Sequence, residues 1–228
     1  MSKFINWSTH PENQITFTQK LLSYLSLSIR EAQFQIFWRH FNPERDYKVL
    51  DVGVRSDETL VDSNFFERRY PFPEKLTAVS VENVSRLAKK YPKISFRRVM
   101  ADKKMPFVDK SFDLVVSWAT VEHVGTRAQQ QFFLEELFRI GKKVFITTPN
   151  KRFIYEPHSG LFFVHWLEHK SFSKISVFLG KKFWAEINNF NPLGIEEVKK
   201  ILPDKKGVKI IKFKSMGLFT THLIIVKP

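Results

Sequence analysis

Residues 48–54 read Lys-Val-Leu-Asp-Val-Gly-Val, and residues 111–117 read Ser-Phe-Asp-Leu-Val-Val-Ser. Each stretch is a short apolar run that carries one acidic residue and is bounded by charged or turn-forming residues. Such runs are typical of strands that are buried on both faces of a parallel sheet. Open parallel sheets bind ligands beyond the carboxyl ends of their central strands. The two stretches therefore predict an α/β fold and indicate which edge of its sheet holds a ligand.

The composition is that of a globular chain with a large core. The chain has 228 residues, of which 43% are hydrophobic and 24 are phenylalanine, and it has no cysteine. This length suits one α/β domain with attachments, and the lack of cysteine excludes disulfides and thiolate metal sites. No signal peptide is apparent, and no apolar run approaches the roughly 20 residues that span a bilayer. We expect a cytoplasmic protein without a membrane span.

The formal net charge of +14 is unevenly distributed. Residues 151–228 carry 14 basic and 6 acidic side chains, whereas residues 1–47 carry 5 and 4. A basic surface attracts RNA, an anionic membrane surface or a phosphorylated substrate. It also serves as a solvated, solubilising surface, so the charge alone leaves the partner open.

Residues 1–47 are predicted to form a helical cap. Between Gln14 and Phe41, apolar side chains recur mostly at helical spacing, and Pro11 and Pro43 bracket the stretch. We predict one or two amphipathic helices packed against the sheet, although the same stripe also suits a dimer contact. The oligomeric state stays open.

From residue 48 onward, strand-like and helix-like stretches alternate, which predicts a mostly parallel sheet with helices on both faces. The first five strands are predicted over residues 48–54, 76–81, 94–99, 112–117 and 143–148. Helices are predicted over residues 58–69, 84–90, 126–139 and 195–202. Two last strands, over 208–213 and 222–226, are joined by a short connection and should pair antiparallel.

Residues 150–194 interrupt this alternation. The stretch is rich in aromatic residues and holds His158, His165 and His169. Because long aromatic loops beside a cleft are usually functional, we expect this insert to cover the substrate site. No metal site is expected, since the histidines lack cysteines or well-spaced carboxylates to complete a ligand set.

The chain resembles the class I S-adenosylmethionine-dependent methyltransferases, in particular the methyltransferase type 11-like group that modifies small acceptors. The matching pieces are Val-Leu-Asp-Val-Gly (49–53), Met-Pro-Phe (105–107) with residues 111–115, Val-Glu-His-Val (121–124) and Ile-Thr-Thr-Pro-Asn (146–150). Each piece is weak alone, but their order and spacing together are specific. The resemblance implies a Rossmann-like seven-stranded sheet in the order 3-2-1-4-5-7-6, with strand 7 antiparallel, in a methyltransferase domain over residues 48–228.

The resemblance also implies S-adenosylmethionine as the cofactor and suggests which residues bind it. Asp51 would accept from the ammonium of the methionine tail, and Gly53 would let the backbone approach without a Cβ clash. Glu82, next to Asn83, would take the ribose hydroxyls, with Ser80 as the alternative if strand 2 ends earlier. The plainer roles are a capped loop acid for Asp51 and a helix N-terminal acid for Glu82.

The remaining cofactor contacts are expected after strands 3 and 4. Ala101, Asp102 and Lys103 would border the adenine, with Asp102 accepting from its exocyclic amine. Ser117 and Trp118 leave strand 4 beneath the cofactor, where Trp118 would pack on the adenosine or on the tail.

His123 is the candidate catalytic residue, because a near-neutral pKa suits removal of a hydroxyl proton. Its alternative role is to hold Glu122 and the loop in place. The residues expected to bind the acceptor are Glu122, His123, Tyr155, His158, His165 and Trp166.

The loop after strand 1 departs from the family pattern. The family normally places two further glycines where this chain has Arg55 and Asp57. One interpretation is that Arg55 pairs with the cofactor carboxylate and Asp57 with its ammonium, through charge-assisted hydrogen bonds. The other is that these side chains narrow the pocket and weaken cofactor binding.

The expected function is methyl transfer to an oxygen or nitrogen atom of a small or medium acceptor. The basic C-terminal third favours an anionic or sugar-linked molecule. RNA is an alternative acceptor that only the charge supports, because no RNA-binding module is apparent. A third hypothesis is a non-catalytic relative of the fold that acts as a binding partner, and the altered glycine loop supports it.

Overall fold

A computed structural model describes residues 17–156, 159–217 and 219–228. The strands of its main sheet are β1 (Val49–Val52), β2 (Leu76–Ser80), β3 (Ser95–Arg98), β4 (Phe112–Trp118), β5 (Gly141–Pro149), β8 (Lys209–Met216) and β9 (Phe219–Lys227). Two further short strands, β6 (Tyr155–Glu156) and β7 (Leu161–Phe162), form a separate antiparallel pair. The main sheet has the order β3-β2-β1-β4-β5-β9-β8.

This topology confirms the predicted α/β fold class. β1 pairs in parallel with β2 and β4, β2 pairs in parallel with β3, and β8 pairs antiparallel with β9. The strand numbers differ from the predicted order only because β6 and β7, which were not predicted, precede the last two strands. They lie within the predicted insert.

The helices are α1 (Phe17–Phe41), α2 (Phe65–Arg69), α3 (Ser85–Lys90), α4 (Arg127–Ile140), α5 (His169–Phe178), α6 (Lys182–Ala185) and α7 (Ile195–Ile201). α1 is one continuous helix, while the part of its predicted range before residue 17 lies outside the described residues. The predicted helix over 58–69 is wrong in its first half, where the chain forms loops and turns. Side-chain hydrogen bonds to the backbone there compete with helix formation. Within the described residues, no helix has the length and apolar character needed to cross a bilayer.

The described residues divide into two compact units. The first unit comprises residues 17–118, 136–145 and 227–228. The second unit comprises residues 119–135 and 146–226, apart from the undescribed positions. The cap over 1–47 and the insert over 150–194 stay predictions, because this division does not test their boundaries.

The first unit has a core built from parallel strands and aromatic side chains. Leu50 of β1 and Val115 of β4 are fully buried and lie at the same level in the sheet. Phe37 of α1 lies against Phe66 and Phe145, with ring centroids 5.5 and 5.4 Å apart. The abundant phenylalanine therefore serves largely as core in this unit, because aromatic rings bury a large apolar area each.

The second unit is held together by polar contacts to the backbone of residues 189–193. The guanidinium of Arg127 donates to the carbonyls of Asn191 and Pro192 at 3.1 and 2.7 Å. The amide of Gln130, which is fully buried, donates to the carbonyls of Val121 and Asn191. These bonds fasten the end of the insert to the segment that follows β4.

Candidate active site

The chain turns sharply at the end of β1. Gly53 has a φ of 113°, and its N–H donates to the Val79 carbonyl of β2 at 2.9 Å. The N–H of Val54 reaches the same carbonyl at 3.3 Å. Glycine adopts this backbone conformation without the strain that a side chain would cause. The turn therefore holds the segment after β1 against the end of β2.

Asp51 of β1 is buried against Glu67 of α2, and each residue is only 4% exposed. Burial raises the pKa of Asp51 well above its ordinary value, and the neighbouring Glu67 raises it further. Burial also raises the pKa of Glu67, although the hydrogen bond to Asp51 opposes this. The two groups share one proton, since two adjacent buried carboxyl groups do not both ionise. Contact of Asp51 with the methionine tail stays a prediction.

Glu82 lies two residues beyond β2 and holds the loop that follows β1. Its Oε2 accepts from the backbone N–H of Ser56 at 2.7 Å and from the Ser56 hydroxyl at 2.5 Å. The Ser80 hydroxyl in turn accepts from the Glu82 N–H at 3.1 Å. The strand thus ends at Ser80, and the carboxylate of Glu82 is oriented by two donors. These contacts bring the segment after β1 and the end of β2 together, while ligand binding at this edge stays a prediction.

Arg55 and Asp57 are held by short-range contacts within their loop. The Asn64 side chain bonds both the N–H and the carbonyl of Arg55, at 3.0 and 2.8 Å. The Asp57 carboxylate accepts from the N–H and hydroxyl of Thr59 and lies 3.9 Å from the Arg55 guanidinium. The Nε of Arg55 is buried without a hydrogen-bond partner among the described residues. An unpaired buried donor of this kind is suited to an anionic ligand.

The other predicted cofactor residues of this edge lie in two turns. The Asn83 side chain accepts from the N–H and the hydroxyl of Ser85, at 3.0 and 2.7 Å, just before α3. Ala101, Asp102 and Lys103 form a turn beyond β3, in which Asp102 and Lys103 are exposed. Asn83 therefore shapes the start of a helix, while the turn beyond β3 has polar groups open to a ligand.

Ser117 and Trp118 at the end of β4 are both buried. The Ser117 hydroxyl donates to the Val52 carbonyl of β1 at 2.8 Å. Trp118 packs among Phe66 and Phe145, with ring centroids 5.6 and 5.1 Å away. These positions give both residues a role in joining β4 to its neighbours within the first unit, and their cofactor contacts stay predictions.

In the second unit, Glu122 and His123 are anchored by residues that are distant in sequence. Glu122 is fully buried and accepts from the Thr148 hydroxyl at 3.0 Å. The Nδ1 of His123 lies 2.8 Å from the Asn189 carbonyl, and its Nε2 lies 3.9 Å from Glu122. Since a carbonyl only accepts, Nδ1 carries a proton, and the neutral ring then has its lone pair on Nε2. In this tautomer, Nε2 is the ring nitrogen that can accept a proton.

Two of the predicted acceptor residues of the insert, His165 and Trp166, share one backbone acceptor, and their binding of an acceptor stays a prediction. Nε2 of His165 and the indole N–H of Trp166 both donate to the Phe153 carbonyl, at 2.7 and 2.9 Å. Burial lowers the pKa of His165, which keeps its ring neutral. Tyr155 lies on β6, and His158 lies outside the described residues. Across 17–156, 159–217 and 219–228, no group of three histidine or acidic side chains is arranged to hold a metal ion.

Several residues that shape this region were not indicated by the sequence. Ser56 and Asn64 position the loop after β1, Glu67 faces Asp51, and Thr148 and Asn189 anchor the Glu122 segment. Only Asn64 carries a local signal, because asparagine tolerates the left-handed conformation that it adopts here, with a φ of 46°. The others depend on contacts between segments that are far apart in the chain.

Comparisons with known proteins agree with the fold. A family described as "Methyltransferase domain" matches residues 65–144 of the chain. No curated protein sequence matches it.

Solved structures share the fold at low identity. The PH0226 protein from Pyrococcus horikoshii OT3 is 15% identical, with 96% of each chain covered and a TM-score of 0.57. An S-adenosylmethionine dependent methyltransferase from Mesorhizobium loti is 13% identical over 81% of this chain and 92% of that one, with a TM-score of 0.52. The CurJ carbon methyltransferase is 12% identical over 83% of this chain, with a TM-score of 0.52, and this chain spans 50% of that one.

The family match and the shared fold show what the chain is similar to: residues 65–144 resemble a methyltransferase domain, and the fold is shared with S-adenosylmethionine-dependent methyltransferases. S-adenosylmethionine is the cofactor that this similarity implies. The low identities to solved structures leave the acceptor undetermined.

Proposed function

We propose that the enzyme transfers the methyl group of S-adenosylmethionine to an oxygen or nitrogen atom of a small or medium, anionic or sugar-linked acceptor. The observation that carries the cofactor part of this proposal is the buried, unpaired Nε of Arg55. A buried donor without a partner costs about 1–3 kcal/mol. The methionine tail ends in a carboxylate, which is the acceptor that a guanidinium pairs with best. The residues present therefore fit the tail of the cofactor.

The first unit has further groups suited to the rest of the cofactor. Glu82, oriented by Ser56, would accept from the ribose hydroxyls through its carboxylate. Gly53 would allow close backbone approach, and Asp57 lies beside Arg55 for the tail ammonium. Asp51 would accept from the tail ammonium, directly or through water, from its buried position beside Glu67.

The remaining residues of the proposed cofactor site border the adenosine. Asp102 would accept from the adenine amine, next to Ala101 and Lys103 in the turn beyond β3. Asn83, Ser117 and Trp118 would contribute to the same site from the ends of β2 and β4.

The chemistry proposed for the second unit is proton removal by His123. When bound, S-adenosylmethionine supplies an electrophilic methyl group on a positively charged sulfur. Nε2 of His123 would take the proton that the acceptor atom loses when it is methylated. The Asn189 carbonyl maintains the required tautomer by accepting from Nδ1. Glu122 lies 3.9 Å from Nε2 and would stabilise the protonated ring.

The acceptor would be bound by the insert, with Tyr155, His158, His165 and Trp166 as contacts. The excess of basic side chains over residues 151–228 supports an anionic molecule. The same excess supports RNA as the second candidate acceptor. A cytoplasmic location is part of the proposal, because a chain without cysteine does not depend on an oxidising compartment to fold.

Calorimetric titration with the demethylated cofactor product tests the proposed cofactor contact. Arg55→Lys keeps the charge but loses the Nε donor, so we expect binding to weaken by about 10- to 100-fold, the effect of one hydrogen bond to a charged group. Arg45→Lys is the matched control. Arg45 also lies 3.9 Å from a carboxylate, that of Glu74, but its side chain is highly exposed, so this variant should bind the product normally. No measurable heat with the wild-type chain at high micromolar ligand would overturn the proposal.

A further inference from the structure

Residues 161–182, called the docking segment below, present an unusual amount of apolar surface. Half of the large apolar side chains that are exposed among the described residues fall within residues 162–179. Phe178 is 87% exposed and Phe162 is 59% exposed. Large apolar groups exposed this densely usually mark a surface that binds a partner. The docking segment lies entirely in the second unit.

The first part of the docking segment presents a small group of aromatic rings. Phe163 lies edge-on to Trp166, with ring centroids 5.0 Å apart, and Phe162 lies 6.5 Å from Phe163. The indole N–H of Trp166 is satisfied by the Phe153 carbonyl, yet the residue is 45% exposed. Its polar atom is therefore fixed to the protein while much of its ring surface faces outward. Phe163 adopts a φ of 62°, which is uncommon for a large side chain.

The second part of the docking segment is the helix α5, which combines apolar and basic groups on its exposed side. Phe172 and Ser176 are buried, one turn apart, on one side of the helix. Lys170, Lys174 and Phe178 follow the opposite side at helical spacing and are exposed. α5 also contacts the 3-10 turn at residues 164–166, which carries Trp166. Aromatic rings and lysines thus occur together along one continuous stretch of surface.

The charge of the docking segment selects among possible partners. It contains four lysines, at positions 170, 174, 181 and 182, and one acidic residue, Glu168. RNA phosphates would pair with the lysines but would leave the exposed aliphatic groups Val177 and Leu179 without a role. A second copy of the chain would bring two basic surfaces together, which like-charge repulsion disfavours. An anionic lipid surface satisfies both features, because its headgroups pair with lysines and its acyl boundary accepts apolar side chains.

We propose that the docking segment binds the surface of a membrane that contains anionic lipids. Its aromatic and aliphatic side chains enter the boundary between headgroups and acyl chains, where tryptophan and phenylalanine partition favourably. Lys170, Lys174, Lys181 and Lys182 pair with lipid phosphates around them. The binding is peripheral and does not depend on methyl transfer, so it holds or fails independently of the proposed function.

Vesicle sedimentation of the full chain tests the proposal. Vesicles of phosphatidylcholine alone are compared with vesicles of phosphatidylcholine and phosphatidylglycerol in a ratio of about 3:1, at low and moderate salt. We expect the chain to bind the anionic vesicles more tightly and to lose affinity as salt rises, because screening weakens the lysine contribution. Absence of binding to the anionic vesicles at low salt overturns the proposal.

Two pairs of variants distinguish the contribution of the docking segment to vesicle binding from that of the overall positive charge of the chain. Lys170→Glu with Lys174→Glu should weaken binding by at least about 30-fold, the effect of two lysines near an anionic surface. Lys205→Glu with Lys206→Glu changes the net charge equally at another exposed site and should have a much smaller effect. Phe178→Ser should also weaken binding, whereas Phe219→Ser, at an exposed site outside the segment, should not. The proposal is overturned if the two double-lysine variants lose the same affinity for vesicles and the two phenylalanine variants also lose the same affinity.

Fluorescence of the wild-type chain gives a readout that does not depend on a variant. Brominated lipids in the acyl region quench tryptophan that enters the membrane boundary, so anionic vesicles with brominated lipid should quench part of the emission. Trp166→Phe should remove most of that quenching. Unchanged quenching in this variant overturns the proposal. The proposal is also overturned if Phe178→Ser converts a dimer to a monomer. It is overturned as well if Lys170→Glu with Lys174→Glu abolishes RNA binding while vesicle binding persists.

Discussion

Asp51 and Glu67 bury two carboxyl groups against each other in the first unit, with one proton shared between them. The relationship has a consequence for stability. Above the ordinary pKa of 3.8, Asp51 in the unfolded chain loses its proton, while Asp51 in the folded chain keeps it. The folded state then binds more protons, so stability is greatest at low pH within this range and falls as pH rises towards the raised pKa.

Glu67→Gln should remove the part of this pH-dependent loss that Glu67 causes, while the larger part, which comes from burial of Asp51, should remain. The variant leaves Asp51 free to ionise while it accepts a hydrogen bond from the new amide, so we expect a gain of about 1–2 kcal/mol near pH 8. For a chain of this size, that gain corresponds to a melting temperature about 2–8 °C higher. Near pH 4 the difference should shrink. Thermal unfolding across this pH range measures it, with Glu44→Gln at an exposed position as the control. A variant less stable than the wild type at pH 8 would contradict the shared proton.

Glu82 and Ser56 should matter together for binding of the demethylated cofactor product. Glu82→Gln replaces a charged acceptor by a neutral amide, and we expect binding to weaken by about 10- to 100-fold. Ser56→Ala removes the hydroxyl that bonds Oε2 and should weaken binding by a smaller factor, because the Ser56 N–H still orients the carboxylate. Calorimetry measures both effects.

A matched control for Ser56→Ala is Ser85→Ala, which also loses a hydroxyl bonded to a side-chain oxygen near the end of β2. That variant should bind the product normally. If Glu82→Gln binds as tightly as the wild type, Glu82 does not take the ribose hydroxyls.

His123→Asn should separate a general base from a positioning residue. If His123 removes the acceptor proton, kcat should fall by about 10²- to 10⁴-fold, the usual contribution of a positioned base. Binding of the demethylated cofactor product should stay unchanged. Rates of methyl transfer from labelled S-adenosylmethionine, followed across pH, provide the measurement.

Asn at position 123 can still donate to the Asn189 carbonyl, so a purely positioning role predicts less than a tenfold loss and an unaltered pH profile. His40→Asn is the control, because His40 is exposed and its Nδ1 likewise lies near a carbonyl, that of Ile36.

The contacts of Arg139 should make the stability of the first unit depend on pH in the acid range. Its guanidinium bonds Glu136 at 2.6 and 2.8 Å, Asp109 at 2.7 Å and the carbonyls of Phe107 and Met105. Burial opposes ionisation of Glu136, but Arg139 outweighs it and holds the pKa below the ordinary value of 4.5. The stabilisation is therefore present above that value and is lost as pH falls through the lowered pKa.

Arg139→Lys should destabilise the chain by about 1–3 kcal/mol at pH 7, because lysine cannot reproduce the bonds of the guanidinium fork. The deficit should narrow at acidic pH, as pH falls through the lowered pKa of Glu136. Denaturant unfolding at both pH values measures the change, with Arg86→Lys at an exposed position as the control. An unchanged midpoint at pH 7 would refute the role given to Arg139.

Local patterns predicted most of the sheet because its central strands are buried on both faces. The continuous apolar runs around Leu50 and Val115 have no other stable environment, so strand positions and parallel pairing follow from them. The helix predicted over 58–69 failed at its start because Asn64 and Asp57 bond nearby backbone groups and compete with helical hydrogen bonds. In the insert, the short aromatic-rich elements β6, β7, α5 and α6 have too few residues to show a clear period.

The amino-acid sequence by itself determined the α/β class and the edge of the sheet where ligands are expected, because alternation of apolar runs and helices is a local property of the chain. The strand order was implied by the resemblance of its motifs to class I methyltransferases. The tertiary structure alone decided that Asp51 faces Glu67, that Glu82 is oriented by Ser56, that Asn189 sets the tautomer of His123 and that Arg55 keeps a buried donor unpaired. Charge sharing, hydrogen bonding and burial depend on distances between segments remote in the chain. Those distances exist only once the core has packed.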